Sequence, residues 1–119
     1  SIVHESTDGT GIVIRTDIDE IELCKAKQRF LCNTLKEGIS NGLRHGNATA
    51  FYFELKQKGD KIAFLLSDNG SGMDQAKLRK GFGLKGMYAR AEALGGSVRC
   101  ETEPDEGFEI RIDLPADNP

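Results

Sequence analysis

The sequence predicts a two-layer α/β sandwich, with a mixed and mostly antiparallel sheet covered on one face by helices. Three observations carry that prediction. Separate short stretches alternate apolar with polar residues and are rich in β-branched and aromatic side chains, as strands are. Other stretches, free of proline, repeat their apolar residues every three to four positions, as helices do. The order strand, long helix, hairpin, glycine-rich break, helix, hairpin leaves both helices with an apolar sheet face to cover.

Residues 11–18 alternate and are β-branched, so they read as a strand; a weaker strand precedes it within residues 1–10 and ends at the Asp8-Gly9 turn signal. From about residue 22 to residue 44 the pattern is helical. Leu31, Cys32, Leu35, Ile39 and Leu43 form one expected apolar stripe. Gly46 and Asn47 end this helix, and Arg44 and His45 suit its negative end. Residues 50–56 and 62–66 are strands on either side of Gly59-Asp60, a hairpin signal. Residues 68–72 break the pattern, and residues 73–80 are polar and mostly charged. A second helix over residues 84–94 is closed by Gly95-Gly96. Residues 97–103 and 108–114 are the last two strands, joined by a turn at residues 104–107 and ended by Pro115.

A length of 119 residues suits one domain, residues 1–119, that needs no disulfide or metal staple to fold. The net charge of −3 gives no dominant grip on nucleic acid or an anionic membrane. The apolar runs are too short to span a bilayer, and no signal peptide opens the chain. Cys24, Cys32 and Cys100 have no C-x-x-C spacing and are expected to be small buried thiols in a reducing compartment. Half of the 14 glycines fall between Gly70 and Gly96, which marks that region as shaped by more than packing.

On the long helix, with Glu37 at zero, Asn41 lies at about 40° and Arg44 at about 340°, opposite Leu35, Ile39 and Leu43 at about 160–240°. Such a polar face is commonly just a solvated surface. Gly38, Gly42 and Gly46 add something, because each interior glycine costs a helix about 1 kcal/mol relative to alanine, and suggest a close approach to the helix. Asp68 ends an apolar strand and is followed by Gly70 and Gly72. Ionised, it only accepts hydrogen bonds and suits an exocyclic amino group such as adenine's, although Asn69-Gly70 is also a common turn. Residues 81–86 fit G-x-G-x-x-G but follow Lys77–Lys80 rather than a strand, so they do not read as a dinucleotide fingerprint. What remains is a glycine turn opening a helix, with N–H groups and a dipole that suit phosphate, and with Lys77, Arg79 and Lys80 adding positive charge.

The ordered set Glu37-x-x-x-Asn41-x-x-Arg44-His45, Asp68-x-Gly70-x-Gly72 and Gly81-x-Gly83-Leu84-x-Gly86-Met87 resembles the ATP-binding catalytic domain of bacterial sensor histidine kinases. These belong to the gyrase, heat-shock chaperone, histidine-kinase and mismatch-repair ATPases. The stretch from Gly83 through Arg90 and Leu94 to Gly96 looks most like the nitrate-sensor and lipid-fluidity-sensor subgroup, which has a short nucleotide lid. The resemblance covers about residues 11–115 and implies the histidine-kinase-type ATPase fold. It implies ATP and Mg²⁺ as cofactors. Asn41 would give its side-chain oxygen to Mg²⁺ and Glu37 would act as general base. Arg44 would face phosphate, and His45 would be a helix-end or pocket-wall residue rather than a phosphate carrier. Asp68 would receive the adenine amino group, with Gly70 and Gly72 letting backbone approach the base. Met73, Lys80, Gly81, Phe82, Gly83 and Leu84 would complete the nucleotide site from the lid, and Gly86 would allow close packing where the second helix starts.

The chain departs from the family in two places. Gly107-Phe108 stands where Gly-Thr is usual, so a hydroxyl contact near the adenine is lost or rearranged. Gly42 stands where alanine is usual. Only His4 and His45 are present, and neither lies in a helix hairpin of the kind that carries the accepting histidine. The resemblance therefore implies a catalytic domain from a longer, homodimeric sensor. It would phosphorylate a histidine on the adjoining dimerisation segment and act with a response regulator on the cytoplasmic side, itself neither membrane-embedded nor bound to nucleic acid. The alternatives are a serine kinase of the anti-sigma type on the same fold and a degenerate nucleotide-binding module without activity.

Overall fold

Alternation along the strands sorts the sheet into an apolar and a polar face. The computed structural model describes residues 3–7, 11–72, 85–103 and 105–117. In chain order its elements are β1 (Val3–Thr7), β2 (Val13–Ile18), α1 (Lys25–His45), β3 (Ala50–Lys58), β4 (Lys61–Asp68), α2 (Lys85–Ala93), β5 (Ser97–Thr102) and β6 (Phe108–Pro115). The six strands form one sheet in the order β1-β2-β3-β4-β6-β5. Only β2 and β3 pair in parallel, and α1 is the crossover between them. The other pairs are antiparallel, as expected of a mixed, mostly antiparallel sheet.

Phe51 and Phe53 of β3, Ile62, Phe64 and Leu66 of β4, and Ile110, Ile112 and Leu114 of β6 fill the covered face. Phe30 and Leu31 of α1 and Met87 and Ala91 of α2 close over them. Phe53 and Phe64 meet edge to face, with ring centroids 5.2 Å apart. The opposite face carries paired polar side chains. Lys56 Nζ lies 2.7 Å from Asp17, and Tyr52 donates to Glu54 at 2.7 Å.

The buried side of α1 differs from the expected apolar stripe. It consists of Lys27, Phe30, Leu31, Thr34, Gly38 and Gly42. Leu35 and Ile39 are only partly buried, flanking the core, while Cys32 and Leu43 are exposed. The reason is distance. The helix lies so close to the sheet that a Cβ on Gly38 would collide with the Leu66 side chain. Glycine gives the closest approach, and the larger aliphatics are displaced to the edge of the contact. The cysteines depart from expectation as well: Cys24 and Cys32 are exposed and Cys100 is half-buried. Cys24 sits at the helix start and Cys32 on the solvent side, so neither lies on the packed face.

Both ends of α1 are fastened. Its first turn has no acidic residue and no side-chain cap of its own. Asp117, just beyond β6, supplies the carboxylate: it accepts from the Cys24 N–H and lies 2.6 Å from Lys27 Nζ. Lys27 also donates to the Pro115 carbonyl at 2.6 Å. An acidic group there complements the positive end of the helix dipole. At the other end Asn47 takes the left-handed backbone, with φ 51°, and the Ala48 N–H donates to the Gly42 carbonyl at 2.9 Å.

Candidate functional site

The C-terminal half of α1, the end of β4 and the start of β6 converge on one hollow. Its described lining is Gly38, Asn41, Gly42, Gly46, Asp68, Gly72 and Phe108. Asn41, on the helix, and Asp68, at the strand end, therefore share a wall, as the two parts of one ligand site must.

Asp68 reaches the hollow because the period of two along β4 puts it on the same face as Leu66 and Phe64. Three features hold it there. The Gly70 N–H donates to Asp68 Oδ1 at 2.8 Å, and the Phe108 N–H also bonds the carboxylate. Gly42 leaves the room: a Cβ there would lie 2.9 Å from Asp68 Oδ2 and 2.7 Å from the Phe51 ring. Burial pushes the Asp68 pKa above the ordinary aspartate value, and the two backbone N–H groups partly oppose that rise. The result is a half-buried acceptor, held in one orientation at the wall of the hollow, that can take a hydrogen bond from a ligand.

The loop after Asp68 is threaded between two other backbones. The Ser71 N–H donates to the Gly46 carbonyl at 2.7 Å, and the Asp105 N–H donates to the Ser71 carbonyl at 2.5 Å. A Cβ on Gly70 would lie 2.6 Å from the Gly46 carbonyl oxygen. At Gly72, φ is +64° and a Cβ would lie 2.5 Å from the Glu103 carbonyl oxygen, so this position needs glycine twice over. Asn69 clamps the loop to the start of β3: its Oδ1 accepts from the N–H groups of Thr49 and Ala50, each at 2.9 Å. Thr102, opposite Phe108 on β5, donates its hydroxyl to the Gly107 carbonyl at 2.8 Å.

The structure thus brings Asn41, Asp68 and Gly72 together, with Gly70 buried directly behind. Glu37 lies one turn before Asn41 and is half-buried, but does not border the hollow. Arg44 and His45 are exposed at the end of α1. Met73, Lys80, Gly81, Phe82, Gly83 and Leu84 lie outside the described residues. Lining residues given no binding role from the sequence are Gly38, Gly42 and Gly46, read only as a close approach to the helix, and Phe108, which the resemblance set near the adenine as a lost hydroxyl contact. For Phe108 the signal was present in the alternation of β6, which puts it on the face of Ile110 and Ile112. Its place beside Asp68 depends on register, which a single strand does not reveal.

Among the described residues no cluster of three or more His, Cys, Asp or Glu side chains is arranged to hold a metal ion. A cation here would take Asn41 as its protein ligand and the rest of its shell from water and phosphate oxygens, an arrangement that suits Mg²⁺. Among the described residues no helix is long and apolar enough to cross a membrane.

Known proteins match this architecture. The signal transduction histidine-protein kinase/phosphatase UhpB of Salmonella typhimurium is 32% identical over 110 residues, covering 91% of this chain and 22% of that protein. The sensor histidine kinase LnrJ of Bacillus subtilis is 38% identical over 84 residues, covering 71% of this chain and 20% of that protein. The chain thus spans about a fifth of the length of these relatives. The solved structure of the Acinetobacter baumannii histidine kinase AdeS superposes with a TM-score of 0.73 at 19% identity, over 93% of this chain and 57% of that one. A family model matches residues 26–118, from α1 through β6, and by it the chain belongs to the histidine kinase-, DNA gyrase B- and HSP90-like ATPases.

Proposed function

We propose that this domain, residues 1–119, binds ATP with Mg²⁺ and transfers the γ-phosphoryl group to a histidine on an adjoining dimerisation segment of a two-component sensor kinase. The observation that carries the reading is the shared hollow: a desolvated carboxylate at Asp68 and an amide at Asn41 border one space between helix and sheet. In this reading Asp68 accepts a hydrogen bond from the adenine amino group, and the glycine backbone of residues 70–72 lets the base come close. Asn41 turns its side-chain oxygen to the metal–triphosphate. Bound Mg²⁺ would supply charge neutralisation at the phosphates. In the same reading Glu37, one turn before Asn41 on α1, would take the proton of the attacking group as general base. Catalysis is then positioning and charge compensation rather than covalent chemistry. The accepting histidine, a response regulator and homodimerisation belong to the longer kinase, working on the cytoplasmic side where ATP is available.

The test is a titration of the chain with Mg-ATP and with Mg-tripolyphosphate. Asp68→Ala should weaken ATP by at least about tenfold, as loss of a hydrogen bond to a charged acceptor implies, and leave tripolyphosphate nearly unchanged. Equal loss of both ligands, or no binding of either by the parent chain, would remove the adenine assignment. With the dimerisation segment supplied, the phosphorylated product should be acid-labile; an acid-stable product would point to serine instead.

A further inference from the structure

Three side chains stand in a row across the end of the sheet: Asp68 on β4 is opposite Phe108 on β6, which is opposite Thr102 on β5. The hollow beside them is walled largely by glycine, so among the described residues the side chains bordering it are Asn41, Asp68 and Phe108. Asp68 offers an acceptor whose orientation is fixed by the N–H groups of Gly70 and Phe108. The hydroxyl hydrogen of Thr102 is committed to the Gly107 carbonyl at 2.8 Å. Phe108 offers only a half-buried aromatic ring.

We infer that Phe108 is a specificity-determining residue: its ring packs against the purine beside Asp68 and, among the described residues, leaves that edge of the pocket with an acceptor and no side-chain donor. This rests on the nucleotide reading above and deepens it. Adenine presents an amino group to Asp68, so acceptor meets donor. Hypoxanthine presents a carbonyl at the same position, so acceptor meets acceptor: the two repel and the hydrogen bond to the ligand is lost. A hydroxyl at position 108 would rotate to donate to that carbonyl and soften the rejection, whereas a phenyl ring cannot. The ring therefore makes the pocket strict for the amino group, and supplies apolar contact for the base.

The experiment uses ADP, IDP and tripolyphosphate, each with Mg²⁺, titrated by calorimetry into the chain and its Phe108→Thr and Phe108→Leu variants. The parent should prefer ADP over IDP. Phe108→Thr should narrow that preference by about threefold to tenfold, the worth of one neutral hydrogen bond, with tripolyphosphate affinity unchanged. Phe108→Leu should weaken both nucleotides and keep their ratio. A ratio unmoved by Phe108→Thr overturns the inference while leaving the nucleotide reading intact. Failure of the parent chain to bind any of the three ligands would instead overturn the nucleotide reading. The sequence contains no tryptophan, so Phe108→Trp adds a single reporter that keeps the question open to test should the threonine variant not fold. Its emission should respond to ADP and not to tripolyphosphate, and an indole silent to bound ADP overturns the inference as well.

Discussion

Replacing Gly42 by alanine sets two opposing effects against each other. In an isolated helix the change is favourable by about 1 kcal/mol. Here the added methyl would lie 2.7 Å from the Phe51 ring and 2.9 Å from Asp68 Oδ2. Phe51 is 2% exposed and cannot swing aside, and Asp68 is held by two backbone N–H groups. Overpacking of that kind costs about 1–3 kcal/mol, so the collision outweighs the helix gain. We expect Gly42→Ala to lose about 1 kcal/mol net, a fall in Tm of about 4 °C for a domain of this size, and to weaken ADP binding by displacing Asp68. Urea unfolding and ADP calorimetry read the two effects separately. Adding Phe51→Leu should recover part of the loss, with a coupling of about 0.5–3 kcal/mol between the two sites. A Gly42→Ala chain that melts higher and binds ADP as before would show that α1 does not press on Phe51 and Asp68, and would refute the account of the site's geometry.

Asn41→Asp should abolish phosphotransfer, because it adds a negative charge where the metal–triphosphate is expected; near-normal transfer by this variant would contradict the metal assignment. The raised Asp68 pKa predicts a pH dependence. Protonation replaces the charged acceptor by a weaker neutral one and adds an O–H donor, so ADP affinity should fall on acidification at a higher pH than an ordinary aspartate would give. The sign for stability runs the other way: a raised folded-state pKa stabilises the fold at low pH, and that contribution is lost as pH rises through the folded value. Asp68→Asn should therefore flatten that part of the stability profile, read from urea midpoints taken across the acidic to neutral range; an unchanged profile would contradict the raised value. Lys27→Met should destabilise the chain by about 1–3 kcal/mol through loss of its charged hydrogen bond to the Pro115 carbonyl, measured by urea unfolding. An unchanged midpoint would mean that the fastening at the start of α1 is dispensable.

Much of this was legible in the sequence because strands and turns are local. Alternation in residues 50–56, 62–66 and 108–114 and the glycine signals at Gly59 and Gly95 required no partner to interpret. Asp68 and Asn41 were marked by their glycine neighbours, and their convergence follows from strand β4 and helix α1 meeting at one end of the sandwich. The buried side of α1 was misread because apolar patterning weighs leucine above glycine. The closest contact belongs instead to Gly38 and Gly42, which large side chains on the facing strands require to be small. Leu35, Ile39 and Leu43 therefore sit at the margin. The latch from Asp117 to Cys24 and Lys27 joins residues about ninety positions apart, and no local pattern announces such a pairing.

The backbone threading around Asp68 has a consequence for how such a pocket can change over time. Gly42, Gly70, Gly72 and Gly107 are each pressed against another stretch of main chain or a fixed side chain, so none can acquire a side chain in a single step without displacing a neighbour. Freedom to drift is confined to the two aromatic positions that border this knot, Phe51 behind it and Phe108 in front. Diversification of ligand preference on this scaffold should therefore proceed by exchange at those rings, with a side chain at position 42 admitted only together with a change at position 51.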